Sequence, residues 1–150
     1  DIQEGDLMKV STRGRYAIKV MIDLAEHDYG EFIPLSDIAK RQEISEKYLE
    51  AIVSTLSKAG FLQSLRGKGG GYKLNRKPEE YTVREVLEAT EGSLAPVADE
   101  EMTSVGNPHA SAFRTAEMWK GLYDAILKYL DSVTIADLAG EDGGQYDFVI

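Results

Sequence analysis

The chain has 150 residues, a formal net charge of -9, no cysteine, and 43% hydrophobic against 29% charged residues. That length buries one compact core with an appended oligomerisation element, while no apolar run approaches the roughly 20 residues needed to cross a bilayer. Without cysteine there is neither a disulfide frame nor thiolate chemistry, which suits a cytoplasmic protein with no membrane partner.

The net charge hides a division. Residues 8–78 carry 13 Lys and Arg against 8 Asp and Glu, whereas residues 79–150 carry 4 against 15 and the first seven add -3. A basic amino-terminal half on an acidic remainder is the asymmetry of a DNA-binding head on a solvated body.

In chain order, DIQEGDL (1–7) lacks periodicity and reads as a leader or expression scar. Ser11 is placed to cap a first helix reaching about residue 27, with Ala17, Val20, Met21, Leu24 and Ala25 as its apolar stripe. Arg13, Arg15 and Lys19 fall largely off that stripe, and Asp28, Gly30 and Pro34 mark a loop. Ser36 is expected to cap a second helix that ends near Gln42, with Ile38 and Ala39 inward. Ser45 caps a third, with Glu46 in its first turn and Leu49, Ile52, Val53 and Leu56 as the core face; Gly60 stops it.

Residues 61–76 read FLQSLRGKGGGYKLNR, two short alternating runs around a basic, glycine-packed turn. Pro78 and YTVREVLEAT then predict a fourth helix over about 82–90. Residues 91–112 hold Gly92, Pro96, Gly106 and Pro108 without sustained periodicity, so they read as a long loop. A last helix starts near Thr115, where Trp119, Leu122, Ile126, Tyr129 and Val133 step by three and four and Tyr123, Leu127 and Leu130 widen the stripe. Residues 134–138 allow one more turn, and 140–150 a flexible tail.

The fold class is mainly α with a small antiparallel β-hairpin. A winged helix-turn-helix head (8–90) is followed by a loop (91–112) and a long carboxy-terminal dimerisation helix (113–139). The wide aromatic stripe favours a dimer seam over cover for its own core.

A recognition helix presents a short polar surface near its N-terminus to base edges. The third helix offers Ser45, Glu46, Lys47, Glu50, Ala51 and Ser54 there. Glu50 fits such a surface by accepting from a cytosine amino group; the alternative is a solvated helix face. In the wing, Arg66 and Lys68 supply charge, while Gly67, Gly69, Gly70 and Gly71 let the backbone turn close to a phosphate or enter the minor groove. It is not a Walker loop, because Lys68 is followed by glycine and then a strand, nor a dinucleotide fingerprint, because Tyr72 stands where the third glycine belongs. A plain hairpin without a ligand stays open.

VSTRGRYAIKVMIDLA, ISEKYLEAIVSTLSKAGFL, SLRGKGGGYKL, YTVREVLEATEGSLAPV and MWKGLYDAILKYLDSVTIADL together resemble the Rrf-type family of bacterial transcription regulators, over residues 8–138. That family includes an iron–sulfur cluster regulator, a nitric-oxide sensor and a cysteine-metabolism repressor. The resemblance implies a homodimer held by the last long helix, with two wings and two recognition helices on an inverted repeat of double-stranded DNA. By position, it implies backbone contact or support from Ser11, Arg13, Arg15 and Tyr16, with Tyr48 and Glu50 in the major groove and the wing in the minor groove. Cluster-binding relatives carry three cysteines in the loop before the dimer helix. Here Asp99, His109 and Phe113 stand roughly there, too few ligands for a cluster, so no metal or cofactor is expected. Either this is a cluster-free member nearer the cysteine-metabolism repressor in logic, or its cysteines were replaced.

The expected function is therefore a homodimeric repressor without a cluster, answering to a protein partner or a small-molecule effector. The alternative is a winged-helix adaptor that binds a metabolic enzyme. No enzyme is expected: His27 and His109 lie in separate segments, and no triad or metal-ligand spacing accompanies them.

Overall fold

A computed structural model describes residues 9–140, so the leader and, apart from Gly140, the tail expected from the sequence lie outside the described residues. Ser11 opens α1 (Thr12–Glu26) through its side chain, which accepts the Gly14 amide. The stripe Ala17, Val20, Met21 and Leu24 is buried, and α2, α3 and α4 pack around it. Val20, Met21 and Leu24 each contribute about 1.5–3 kcal/mol by leaving water, and Ala17 less.

The second helix corrects the sequence reading. α2 (Leu35–Gln42) starts before Ser36, its cap position is Pro34, and no side chain bonds there. The cause lies next door: Ile33 is fixed by a β-bridge to Tyr72, with amide-to-carbonyl distances of 2.8 and 2.9 Å in the two directions. The chain therefore leaves a strand position and enters the helix at once, using the proline φ that suits a helix start.

Between α2 and α3 the chain turns at Glu43, the one non-glycine residue with positive φ (57°) among the described residues. A side chain there costs about 1 kcal/mol against glycine. Glu43→Gly is thus expected to raise stability by about 0.5–1 kcal/mol in urea denaturation, since glycine regains that strain and loses some backbone entropy.

α3 (Glu46–Lys58) is capped by Ser45, whose side chain accepts the Tyr48 amide at 3.1 Å. It ends as Gly60 implies: the Gly60 amide returns to the Ser57 carbonyl and the Phe61 amide to the Leu56 carbonyl, both at 3.0 Å. The hairpin follows as β1 (Leu62–Leu65) and β2 (Gly71–Leu74), antiparallel with Leu62 opposite Leu74 and Leu65 opposite Gly71. Ile33 adds a third strand position on the far side of β2, so the hairpin is tied to the α1–α2 connection.

After a 3-10 turn (Pro78–Glu80), α4 (Val83–Glu91) begins in a reciprocal capping box between Thr82 and Glu85. The loop contains a second 3-10 turn, Asp99–Met102. α5 spans Ser111–Asp131, so the last long helix begins ahead of the expected Thr115. Its first turn, SAFR, carries one large apolar residue, Phe113, beside Ala112, and gives periodicity too little to detect. The helix also stops before Val133, which therefore is not on its stripe. Val133 instead accepts the Val83 amide at 2.8 Å, and a final short helix α6 (Ile135–Leu138) packs back on α1 with Ile135 fully buried.

Candidate nucleic-acid interface

Two arginines in the first turn of α1, with no acid among them, oppose the helix dipole. The compensating charge comes from elsewhere in the chain. Glu91, at the end of α4, accepts from the Ser11 amide at 3.0 Å and from the Ser11 hydroxyl at 2.6 Å. Gly14 is needed for this approach, because a Cβ there would overlap the Glu91 carboxylate. Arg13 and Arg15 are left exposed, and Arg15 donates to the Thr12 hydroxyl at 3.0 Å.

Tyr16 and Tyr48 are brought together, edge to face at 5.5 Å between centroids, and the Lys19 ammonium stands 5.5 Å from the Tyr16 ring. Both rings are half-buried, so they brace the start of α3 against α1. Ser45, Glu46, Lys47, Glu50, Ala51 and Ser54 are exposed on α3. The Ser11 and Ser45 hydroxyls both serve as helix caps.

The helix-turn-helix is held on α1 by a polar clamp that reaches from the surface to a buried acid. Asp23, fully buried, accepts from Arg41 Nε and Nη2 at 3.0 and 2.9 Å and from Gln42 Nε2 at 2.8 Å. The bond to Asp23, more than any other influence, keeps the Arg41 guanidinium protonated. His27 sits beside it, its Nδ1 2.8 Å from the Asp23 carbonyl.

The wing turn (66–70) is exposed apart from half-buried Gly70. Gly67 and Gly69 take φ of 89° and 77°, values a side chain would strain. At the root, Tyr81 is fully buried, and its oxygen accepts the Asn75 and Arg76 amides at 3.1 and 3.0 Å. Its proton reaches the Phe61 carbonyl at 2.8 Å, with Asn75 Oδ1 at 3.0 Å as the alternative. Burial pushes the Tyr81 phenol up, so it stays protonated. The Arg76 guanidinium lies 5.3 Å from the Phe61 ring centroid and 4.9 Å from that of Tyr81.

Asp23, Tyr81 and Glu91 are absent from the sequence reading. Asp23 left a faint signal, an acid flanked on the helix by Val20, Met21 and Leu24. Tyr81 and Glu91 left none, because their partners are remote in sequence.

Among the described residues, Arg13, Arg15, Lys47, Arg66 and Lys68 enter no ion pair, whereas Arg41, Arg76, Arg84 and Lys120 do. On α5, Ala116 is the one buried residue; Trp119, Leu122, Tyr123, Ile126 and Leu130 are half-buried, and Tyr129 is 67% exposed. In the preceding loop the Ser104 hydroxyl donates to Glu117, and together with the Lys120 ammonium at 2.9 Å it holds that carboxyl below its ordinary range.

A family model described as Rrf2, iron-dependent transcriptional regulator, matches residues 10–141. The chain is 36% identical to the HTH-type transcriptional regulator CymR of Bacillus subtilis (strain 168), over 93% of this chain and 96% of that one. It is 38% identical to the HTH-type transcriptional regulator IscR of Aliivibrio salmonicida (strain LFI1238), over 87% and 77% of the two chains. The solved structure of CymR (YrzC), the global cysteine regulator of B. subtilis, is similar with a TM-score of 0.74 at 37% identity, covering 87% of this chain and 95% of that one. T. potens IscR gives 0.68 at 35% identity, covering 87% and 85%.

The iron in that family description finds no matching donors here. The chain has no cysteine; Asp99 and His109 are exposed, Phe113 offers an apolar ring, and no three His, Asp or Glu among the described residues converge to hold a metal. The residues present do not fit an iron–sulfur cluster.

Proposed function

The chain belongs to the Rrf2 family of transcriptional regulators, which are not enzymes, and from that premise we propose that it is a homodimeric repressor of an inverted-repeat operator that works without a cluster. The observation that carries this reading is a group of exposed cations on α1, α3 and the wing that enter no ion pair among the described residues: Arg13, Arg15, Lys47, Arg66 and Lys68. Solvated cations on three elements, with Glu46 and Glu50 exposed beside Lys47 on α3, are groups that a duplex backbone pairs with as it releases its counterions.

In this reading Ser11, Arg13, Arg15 and Tyr16 meet or support the phosphate backbone. Ser45, Lys47, Tyr48 and Glu50 lie in the major groove, and Arg66, Gly67, Lys68, Gly69 and Gly70 in the minor groove. Trp119, Leu122, Tyr123, Ile126, Tyr129 and Leu130 form the seam, with Val133 tying its end to the head. The head spans 8–90, and the connection expected over 91–112, whose part between α4 and α5 is 92–110, receives the signal, from a protein partner or a small effector. No helix among the described residues is long and apolar enough to cross a membrane.

Selection from random duplexes, followed by mobility shifts at two salt concentrations, tests the proposal. A two-fold-related site bound more weakly at high salt is expected; no enrichment, or binding indifferent to salt, refutes it. Lys68→Ala should weaken all duplexes alike and lower the salt slope by about 1. Glu50→Ala should instead relax preference at one or two base pairs, by about 1–3 kcal/mol each. Equal losses on every duplex for both variants would contradict that division.

A further inference from the structure

The wing is a small hairpin with an exposed tip, and its usefulness depends on the angle at which its root leaves the head. Both root strands end on one atom. The Tyr81 oxygen binds Phe61 on the entering side and the Asn75 and Arg76 amides on the returning side, while Asn75 Nδ2 closes the gap to the Gly60 carbonyl at 2.8 Å. Tyr81 is itself gripped from behind, for its carbonyl accepts the Ile135 amide at 3.0 Å and its ring packs edge to face on Phe61 at 5.9 Å. A hydroxyl with one proton and two lone pairs is fully used by such a set.

We propose that the Tyr81 hydroxyl is a positioning group that fixes the angle of the wing, so that the DNA affinity supplied by Arg66 and Lys68 depends on it. The inference rests on the reading of the hairpin as a DNA wing and adds a residue that touches no nucleic acid. Without the hydroxyl, the two strand ends lose their common partner. The root is then left to the Ile33 bridge, the Asn75–Gly60 bond and the burial of Leu62 and Leu74, a looser hold that lets the wing angle vary, so its cations meet phosphates only part of the time.

The test is a double-mutant cycle of Tyr81→Phe and Lys68→Ala on the duplex that the wild-type protein selects from a random pool. The phenylalanine keeps the buried ring, and circular dichroism checks that helical content is retained. Tyr81→Phe is expected to weaken binding about tenfold and to lower the salt slope by about 1–2, because wing contacts leave the phosphates. Lys68→Ala should then cost several-fold in the wild-type background but less than about twofold in Tyr81→Phe, a coupling between residues not in contact. A merely structural role would lower affinity with the slope unchanged, and Lys68→Ala would cost the same in both backgrounds; that result overturns the proposal. A wild-type protein with no salt-dependent duplex affinity removes the wing reading itself and the proposal with it. Should Tyr81→Phe fail to fold, Asn75→Ala, which opens the same root from its exposed side, decides by the same two readouts.

Discussion

Ile126→Asp is expected to halve the mass of the protein in sedimentation and to weaken operator binding by about 100-fold or more, with helical content unchanged. Ile126 lies mid-way along α5 among Leu122, Tyr123 and Leu130, on a stripe that its own domain leaves half open. A carboxylate there would have to be desolvated in the proposed seam, which disfavours association. Losing the seam converts an intramolecular second contact back into a bimolecular one, and the effective concentration that couples two half-sites disappears. A variant of monomeric mass with undiminished affinity would disprove the assignment.

Arg41→Met should cost about 3 kcal/mol and lower the melting temperature by about 10 °C, because it leaves the Asp23 carboxylate buried with Gln42 as its remaining side-chain donor. The value sits at the lower end of the range for breaking a buried pair, since Arg41 is 35% exposed and water screens part of its charge. Asp23→Leu combined with Arg41→Met should recover much of that loss, because an apolar pair removes the orphaned charge. Additive losses in thermal melts would show the two residues to be uncoupled.

Where the determinant of structure is local, the sequence displayed it. The Ser11 and Ser45 caps, the stripe of α1, the stop at Gly60 and the Thr82 start of α4 each depend on residues a few positions apart, and each stands where pattern reading places it. The failures are tertiary. Ser36 looks like a better cap than Pro34, but the Ile33–Tyr72 bridge decides where the chain enters α2. Val133 continues the period of α5 on paper, yet its carbonyl is recruited by Val83 and the helix has already ended.

The candidate site divides in the same way. Its exposed cations and its glycine turn are legible because composition and spacing announce them. The polar groups that aim them are not: Asp23 reaches 18 residues to Arg41, Tyr81 reaches 20 residues to Phe61 and Glu91 reaches 80 residues to Ser11. No periodicity encodes an ion pair or hydrogen bond of that span, since any acid or tyrosine elsewhere would leave the pattern unchanged.

Thr82 and Thr134 face one another across a β-bridge, and Ile135 sits at 0% exposure against the first helix. A gene shortened at the end of its fourth helix, to make a minimal reader of sequence, would strip the lid from the molecule's own hydrophobic centre. Exchanging heads between relatives thus requires carrying the last short helix along with them, because the proposed reading head and the proposed pairing helix share one floor.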